Sequence, residues 1–468
     1  MFDSSFFILS LPVIFFLYYF LPIRLRNYIL LISSILIVSQ FGAFCVIICF
    51  CVTLFIFFIA ILMEKVKSRK LLLYLAISLI IGGFILIRLQ LNNLNLFLYA
   101  AGYSYYSFQC ISYLLEVYYG RFRVEKNFIK FLLYTFFFPK FASGPIEKPL
   151  FLKQLECNNN PFNYILVISG LKLMLIGYFK KLVVANRIDS VTVSVFNNIS
   201  NASGLDLAFS MILYSFEIYA DFSAYADLAV GTGMIFGLKL SRNFDKPYLS
   251  RSITEFWRKW HITLSQWARD YVFLPLAYRT INFLKVFKLS LNTKEYIAYV
   301  LSSLLTMTII GIWHGFKLGF LIWGVLHGIY LSMGRLTKLI RQRYQLPLKK
   351  SQIYKVTAVI CTFSLITFSW IFFKFNDFYT AIIVLEKIIL TFSGQLTSST
   401  YLLRLNAGFY IMMLFLLLLI FSEIFESQIK KYFYTLPLVL RWFGYAVLIV
   451  FILTFGVFEG NTFIYIKF

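Results

Sequence analysis

The chain has little histidine, little charge and few acids. Of its 468 residues only three are histidines, at positions 261, 314 and 327, and 14% are charged. An ordinary soluble domain carries about 25% charged residues. With 60% hydrophobic residues and a mean hydropathy of +0.79, this composition excludes a soluble globular class and points to a polytopic membrane protein. The 20 acids face 44 lysines and arginines, a net charge of +24. In a membrane chain such a surplus gathers in cytoplasmic loops, where it meets anionic lipid headgroups. A nucleic-acid partner is therefore not expected. The six cysteines (Cys45, Cys49, Cys51, Cys110, Cys157 and Cys361) form no Cys-x-x-Cys pair and no Cys/His cluster with zinc spacing. No structural disulfide, no metal and no bound cofactor are expected.

Apolar stretches long enough to cross a bilayer recur along the whole chain. A spanning helix needs about 20 mostly apolar residues, and the pattern supplies roughly 11 to 14 candidates. The expected fold is all-α: one polytopic integral membrane domain over 1–468 with no soluble appendage. Residues 28–63 read as two short spans broken at Gly42. The first apolar run, from residue 4 to 22, has no basic segment before it and no small-residue cleavage site after it, and reads as a retained helix. The stretch FFFPKFASGPIEKP (136–149) mixes Pro, Gly and Lys into apolar sequence. Such backbone is tolerated at membrane depth only inside protein or along a cavity.

Loop charge gives an orientation. The segments 64–70, 239–252, 335–350 and 428–431 are basic and are assigned to the cytoplasm. The segments 197–203 and 393–401 lack Lys and Arg and are assigned to the outside. Between 128 and 187 the charge pattern fixes no side.

The three histidines fall in two blocks. In SITEFWRKWHITLSQWARDYVFLPL (252–276), Phe256, Trp260, Leu264, Trp267 and Tyr271 recur at spacings of four, four, three and four, one face of a helix. Arg258, His261, Ser265 and Arg269 lie on a neighbouring polar side. The segment is too polar for a simple span and reads as an amphipathic or re-entrant helix near 254–276; Trp, Tyr and Arg also suit a plain interfacial anchor. The second block, TIIGIWHGFKLGFLIWGVLHGIY (308–330), carries His314 at the end of an apolar run, beside Trp313. An ionisable group at membrane depth is costly and marks a functional site by default. His327 lies between Gly324 and Gly328, which suggests close helix packing, so it is assigned structural support. An imidazole titrates at about pH 6.5 and in its neutral form takes a proton from a hydroxyl. Acyl transfer to an alcohol needs that base. A proton relay in a transporter would use the same groups, and Asp221 and Asp227, in the apolar stretch 215–231, keep that reading open.

Five blocks, in order, resemble the membrane-bound O-acyltransferase family, and within it the bacterial alginate O-acetyltransferase-like branch. They are FFFPKFASGPI, GYFKKLVVANRID, YSFEIYADFSAYADLAVG, RNFDKPYLSRSITEFWRKWHITLSQWARDYVFLPL and GIWHGFKLGFLIWGVLHG. The likeness is dense over 136–330 and looser elsewhere, with FIYIKF at 463–468 similar to that branch's end. The paired histidine blocks are its most specific part. The resemblance implies a multi-helix membrane fold around a central tunnel and makes His314 the catalytic histidine, with His261 on the reaction path. It places Trp257, Arg258, Arg269 and Asp270 near that path; Trp313 and Asp221 join them as candidate substrate- or donor-binding residues. The chain departs from the branch at Pro275-Leu276-Ala277-Tyr278, where a Pro-Leu-Gly-Gly turn is usual, and at Ala224, where glycine is common.

The resulting expectation is a membrane O-acyltransferase in the bacterial cytoplasmic (inner) membrane. It would move an acetyl group from a cytoplasmic thioester, acetyl-CoA, for O-acetylation of an extracellular polysaccharide or peptidoglycan. An extracytoplasmic acetyltransferase is the expected partner. D-alanyl transfer to teichoic acid is the alternative within the fold, and a proton-coupled transporter or flippase the alternative outside it.

Overall fold

Gly42 divides the apolar stretch 28–63 into two helices. Its φ of 108° and ψ of 145° lie where L side chains rarely go. Helix thus stops at Phe41 and restarts at Ala43, as the sequence suggested. The computed structural model describes residues 2, 4–89, 94–156, 162–345, 351–392, 407–458 and 463. Among these every regular element is helical, and the chain falls into two compact units.

The first unit takes in Met1–Tyr178 and Phe222–Arg242. Its main helices are α1 (Ser5–Phe20), α2 (Arg26–Val38), α3 (Ala43–Lys65), α4 (Arg69–Leu89), α5 (Leu94–Tyr118), α6 (Phe128–Phe136) and α7 (Tyr164–Tyr178). Ile23–Phe41, Ala43–Lys65 and Arg69–Leu89 are long and apolar enough to cross a membrane, and α1 is a shorter apolar helix. The Pro-Gly-Lys stretch after α6 is inside protein. Lys140 is fully buried, donates to the Gln109 side chain and the Tyr134 carbonyl, and lies over the rings of Tyr134 and Phe151. Glu147 accepts from the Ser241 N–H at 2.6 Å and its hydroxyl at 3.2 Å. Residues 128–141 form two short helices, Phe128–Phe136 and Phe138–Phe141, in place of one span.

The second unit takes in Phe179–Asp221 and Asn243–Asn461. It holds α8 (Asn186–Phe196), the first part of α9 (Gly204–Ile235), α10 (Ile253–Lys259), α11 (Ile262–Ala268), α12 (Leu274–Leu284), α13 (Leu291–His314), α14 (Leu318–Arg343), α15 (Gln352–Lys374), α16 (Phe378–Phe392), α17 (Ala407–Ile424), α18 (Glu426–Thr435) and α19 (Leu438–Phe455). Of these α13, α15, α17 and α19 meet the length and hydropathy of a span. Seven described helices meet it in all. The remaining expected segments are shorter, interrupted or more polar.

Two contacts within this unit join loops that the charge pattern puts on one side. Lys246, in a basic loop, pairs with Glu426 at 2.7 Å, beside the basic 428–431 segment. Burial would raise the Glu426 pKa, but hydrogen bonds and charge from Lys246 and Lys430 outweigh it and lower the value to about 2. In the loop assigned to the outside, the Ile199 and Ser200 carbonyls accept from Lys387, near the end of α16. The other external segment, 393–401, lies outside the described residues, as do Cys157, 346–350 and most of 463–468.

Candidate active site

The site is built on a hairpin of two helices whose backbones touch. Ser290 caps α13, its hydroxyl accepting the Thr293 N–H at 3.2 Å. A Cβ at Gly311 would stand 2.3 Å from the Phe320 carbonyl oxygen, and one at Gly324 2.4 Å from that of Met307. Only glycine allows α13 and α14 this close. The packing fixes His314, the last residue of α13, and His327, in mid α14.

His314 is 3% exposed and ringed by aromatic groups. Its ring centroid lies 4.5 Å from that of Trp313, 4.9 Å from Phe373, 5.3 Å from Trp323 and 6.2 Å from Phe320. It sits in the last turn of a 24-residue helix.

The single amphipathic helix expected over 254–276 is divided. Helix α10 ends at Lys259, α11 begins at Ile262, Arg269–Phe273 form a wider π turn, and α12 continues from Leu274. The break is at His261, buried, with φ 42° and ψ 56°. A non-glycine residue held left-handed costs of order 1–3 kcal/mol, and such strain collects at functional sites. Asn243 holds the break: its carbonyl accepts the Ile262 N–H at 2.9 Å, and its side-chain oxygen accepts the Thr263 hydroxyl at 2.6 Å. Phe256, Trp260, Leu264 and Trp267 are all buried, so the apolar face survives the break. Ala277 and Tyr278 carry α12 onward as helix where the resemblance expected a glycine turn.

A cavity of ≈ 490 Å³ opens between this block and α13. Trp257, Arg258, Ser265 and Arg269 line one side, and Thr306, Met307 and Ile310 the other. Thr306, Ile310 and His314 are spaced four apart and share one helix face. His314 is thus one turn beyond the cavity wall, about 6 Å along the axis from Ile310.

The candidate residues divide by place. Trp257, Arg258 and Arg269 line the cavity. Trp313 packs on His314. Asp270 sits beside Arg269, 3.4 Å from its guanidinium. His261 is flanked by lining residues without being one of them. His327 is fully buried: the Trp257 indole donates to Nδ1 at 3.2 Å, and Nε2 lies 3.0 Å from the Ser369 hydroxyl. Asp221 is elsewhere in the unit, 1% exposed and paired with Lys181 at 2.6 Å. Sequence reasoning missed Thr306, Met307 and Gln266, which also line the cavity. Their only sequence signal was fourfold spacing from His314 in one case, and proximity to His261 in another.

The model of the membrane-bound O-acyltransferase family matches residues 119–375, which include the whole site. The peptidoglycan O-acetyltransferase of Helicobacter pylori is 31% identical over 312 residues, 61% of this chain and 56% of that protein, so the match spans little more than half its length. The probable alginate O-acetylase AlgI of Pseudomonas putida is 30% identical over 404 residues, 81% of this chain and 78% of that one. The teichoic acid D-alanyltransferase of Streptococcus thermophilus is 29% identical over 333 residues, 67% of this chain and 78% of that one.

Proposed function

The chain belongs to the membrane-bound O-acyltransferase family, and we propose that it is a bacterial inner-membrane enzyme that moves an acetyl group from cytoplasmic acetyl-CoA for O-acetylation of an extracellular polysaccharide or peptidoglycan. One observation carries the reading: a buried histidine, His314, stands one turn beyond a cavity whose wall holds Arg258 and Arg269. The arginines suit the phosphates of a thioester donor, which bidentate guanidinium groups recognise well. Trp257 forms an apolar wall for its thin arm.

His314 acts as general base. The imidazole takes the proton of the acceptor hydroxyl, and the oxygen attacks the thioester carbonyl carbon. The tetrahedral adduct collapses, the carbon–sulfur bond breaks, and the imidazolium gives the proton to the leaving thiolate. His261, held in a strained backbone beside the cavity, positions the donor. An extracytoplasmic acetyltransferase receives the acyl group and selects the polymer.

The relatives named for alginate and peptidoglycan acetylation support an acetyl donor; the D-alanyltransferase relatives favour a second reading, D-alanyl transfer from a carrier protein. The test is thiol release by the purified protein in lipid nanodiscs, given acetyl-CoA or a D-alanyl carrier thioester. Acetyl-CoA consumption that depends on His314 is expected. Turnover of the D-alanyl thioester alone would replace the first reading with the second, and no thioester turnover with proton-driven uptake in vesicles would replace both.

A further inference from the structure

In the aromatic cluster around His314 and His327, the ring nitrogens of Trp257, His327 and Trp370 have hydrogen-bond partners. The Trp257 indole N–H donates to His327 Nδ1 at 3.2 Å. An indole can only donate, so Nδ1 accepts, the His327 proton sits on Nε2, and Nε2 donates to Ser369 at 3.0 Å. The Ser369 hydroxyl in turn donates a hydrogen bond to the Ile366 carbonyl at 2.7 Å. The Trp370 indole donates to the Tyr248 hydroxyl at 3.2 Å. Trp323 differs. It is 1% exposed, and its Nε1 has no hydrogen-bond partner among the described residues.

A buried donor left unsatisfied costs about 1–3 kcal/mol, and native folds keep few of them. The position of this one gives it a use. The Trp323 ring meets His314 edge-on, centroids 5.3 Å apart and planes at 87°. It also lies 5.9 Å from the ring of Trp257, which lines the cavity. The neighbouring His327 ring, with centroids 4.8 Å apart, has both nitrogens engaged elsewhere. We propose that the Trp323 indole N–H is an oxyanion donor, reserved for the carbonyl oxygen of the acyl group that His314 helps to transfer.

This inference rests on the acyltransferase reading above. When the acceptor oxygen adds to the carbonyl carbon, the carbonyl π pair moves onto oxygen, and that negative charge is what the indole N–H meets. When the carbon–sulfur bond breaks, the pair returns and the contact weakens. A donor aimed at charge that develops in the transition state accelerates the chemical step and adds little to ground-state binding.

The experiment compares Trp323→Phe with the parent enzyme in thiol release from acetyl-CoA in nanodiscs, with thermal stability measured alongside. A second variant carries 3-benzothienylalanine at 323, which keeps the shape of the indole and replaces the N–H by sulfur. We expect kcat to fall about 100- to 1000-fold in both, the usual effect of removing one oxyanion donor. KM for acetyl-CoA should change little, and the sulfur variant should unfold at the parent temperature or above, since no donor is then stranded. A sulfur variant with the parent kcat overturns the proposal, whether or not Trp323→Phe folds. A parent enzyme that turns over no thioester instead overturns the acyltransferase reading itself.

Discussion

Trp257 and His327, seventy positions apart, are joined by an indole-to-Nδ1 hydrogen bond of 3.2 Å. The bond ties α10 to α14 and fixes the His327 tautomer. It also occupies the nitrogen that a base would use. We therefore assign His327 to holding the cavity wall that Trp257 forms. His327→Ala strands the Trp257 N–H, at about 1–3 kcal/mol for a buried unsatisfied donor. Thermal unfolding should show a clear loss of stability, while turnover per folded molecule falls far less than in His314→Ala. An unchanged melting temperature with abolished turnover would move His327 into the chemistry.

Asp221 and Lys181 form an ion pair of 2.6 Å in which both side chains are at most 3% exposed. Removing one partner leaves the other charge buried. Asp221→Ala should therefore cost about 3–5 kcal/mol, whereas replacing both by well-packed apolar residues should be close to neutral. Unfolding of Asp221→Ala and of the Lys181→Met/Asp221→Leu pair separates this from a proton relay. A relay would leave Asp221→Ala stable and the double variant inactive in any proton-coupled step.

Gly324→Ala places a Cβ 2.4 Å from the Met307 carbonyl oxygen. Backbone cannot yield as a side chain can, so the α13–α14 hairpin must spread, at a cost of about 1–3 kcal/mol. A Cβ at Gly334, on the same helix, would meet nothing nearer than the Thr254 hydroxyl at 4.0 Å. Gly334→Ala should be neutral or slightly stabilising, since glycine costs a helix about 1 kcal/mol relative to alanine. Melting temperatures of the two variants test the contrast; equal values would contradict it.

Arg335, Lys338, Arg341 and Arg343 crowd the end of α14 and its exit with no acid among them. A single cysteine at Gln342 in a cysteine-free background should be protected from a membrane-impermeant thiol reagent in intact cells. One at Asn201, in the uncharged 197–203 loop, should be labelled. The reverse pattern would invert the topology.

Much of the site was legible because its chemistry is rare in such a chain. Three histidines in 468 residues draw attention by position, and of the face read from spacing Phe256, Trp260, Leu264 and Trp267 are buried while Tyr271, past the π turn, is half-buried. The glycines flanking His327 announced a close helix pair. Gly42 announced a break for a local reason, a backbone angle that L side chains rarely adopt. The break at His261 was not legible, because it depends on Asn243 reaching a turn some twenty residues later. Helical periodicity runs through the break unchanged. Thr306 was hidden for a related reason: within an apolar span, a hydroxyl facing a cavity has the same sequence signature as one facing a neighbouring helix. Asp221 read as a candidate site residue because a buried acid in a span suggests chemistry, and its partner Lys181 comes from a separate block forty residues earlier.

The central claim is that His314 is the base of an acyl transfer, and thioester turnover by His314→Ala in nanodiscs tests it most directly. The side chain lies at the end of α13, so the Gly311–Gly324 packing that holds the hairpin should survive its loss, and yield and melting temperature should match the parent. General base catalysis is worth about 10² to 10⁴ in rate, and thiol release should fall by that factor. Parent-level turnover by well-folded His314→Ala would contradict the account.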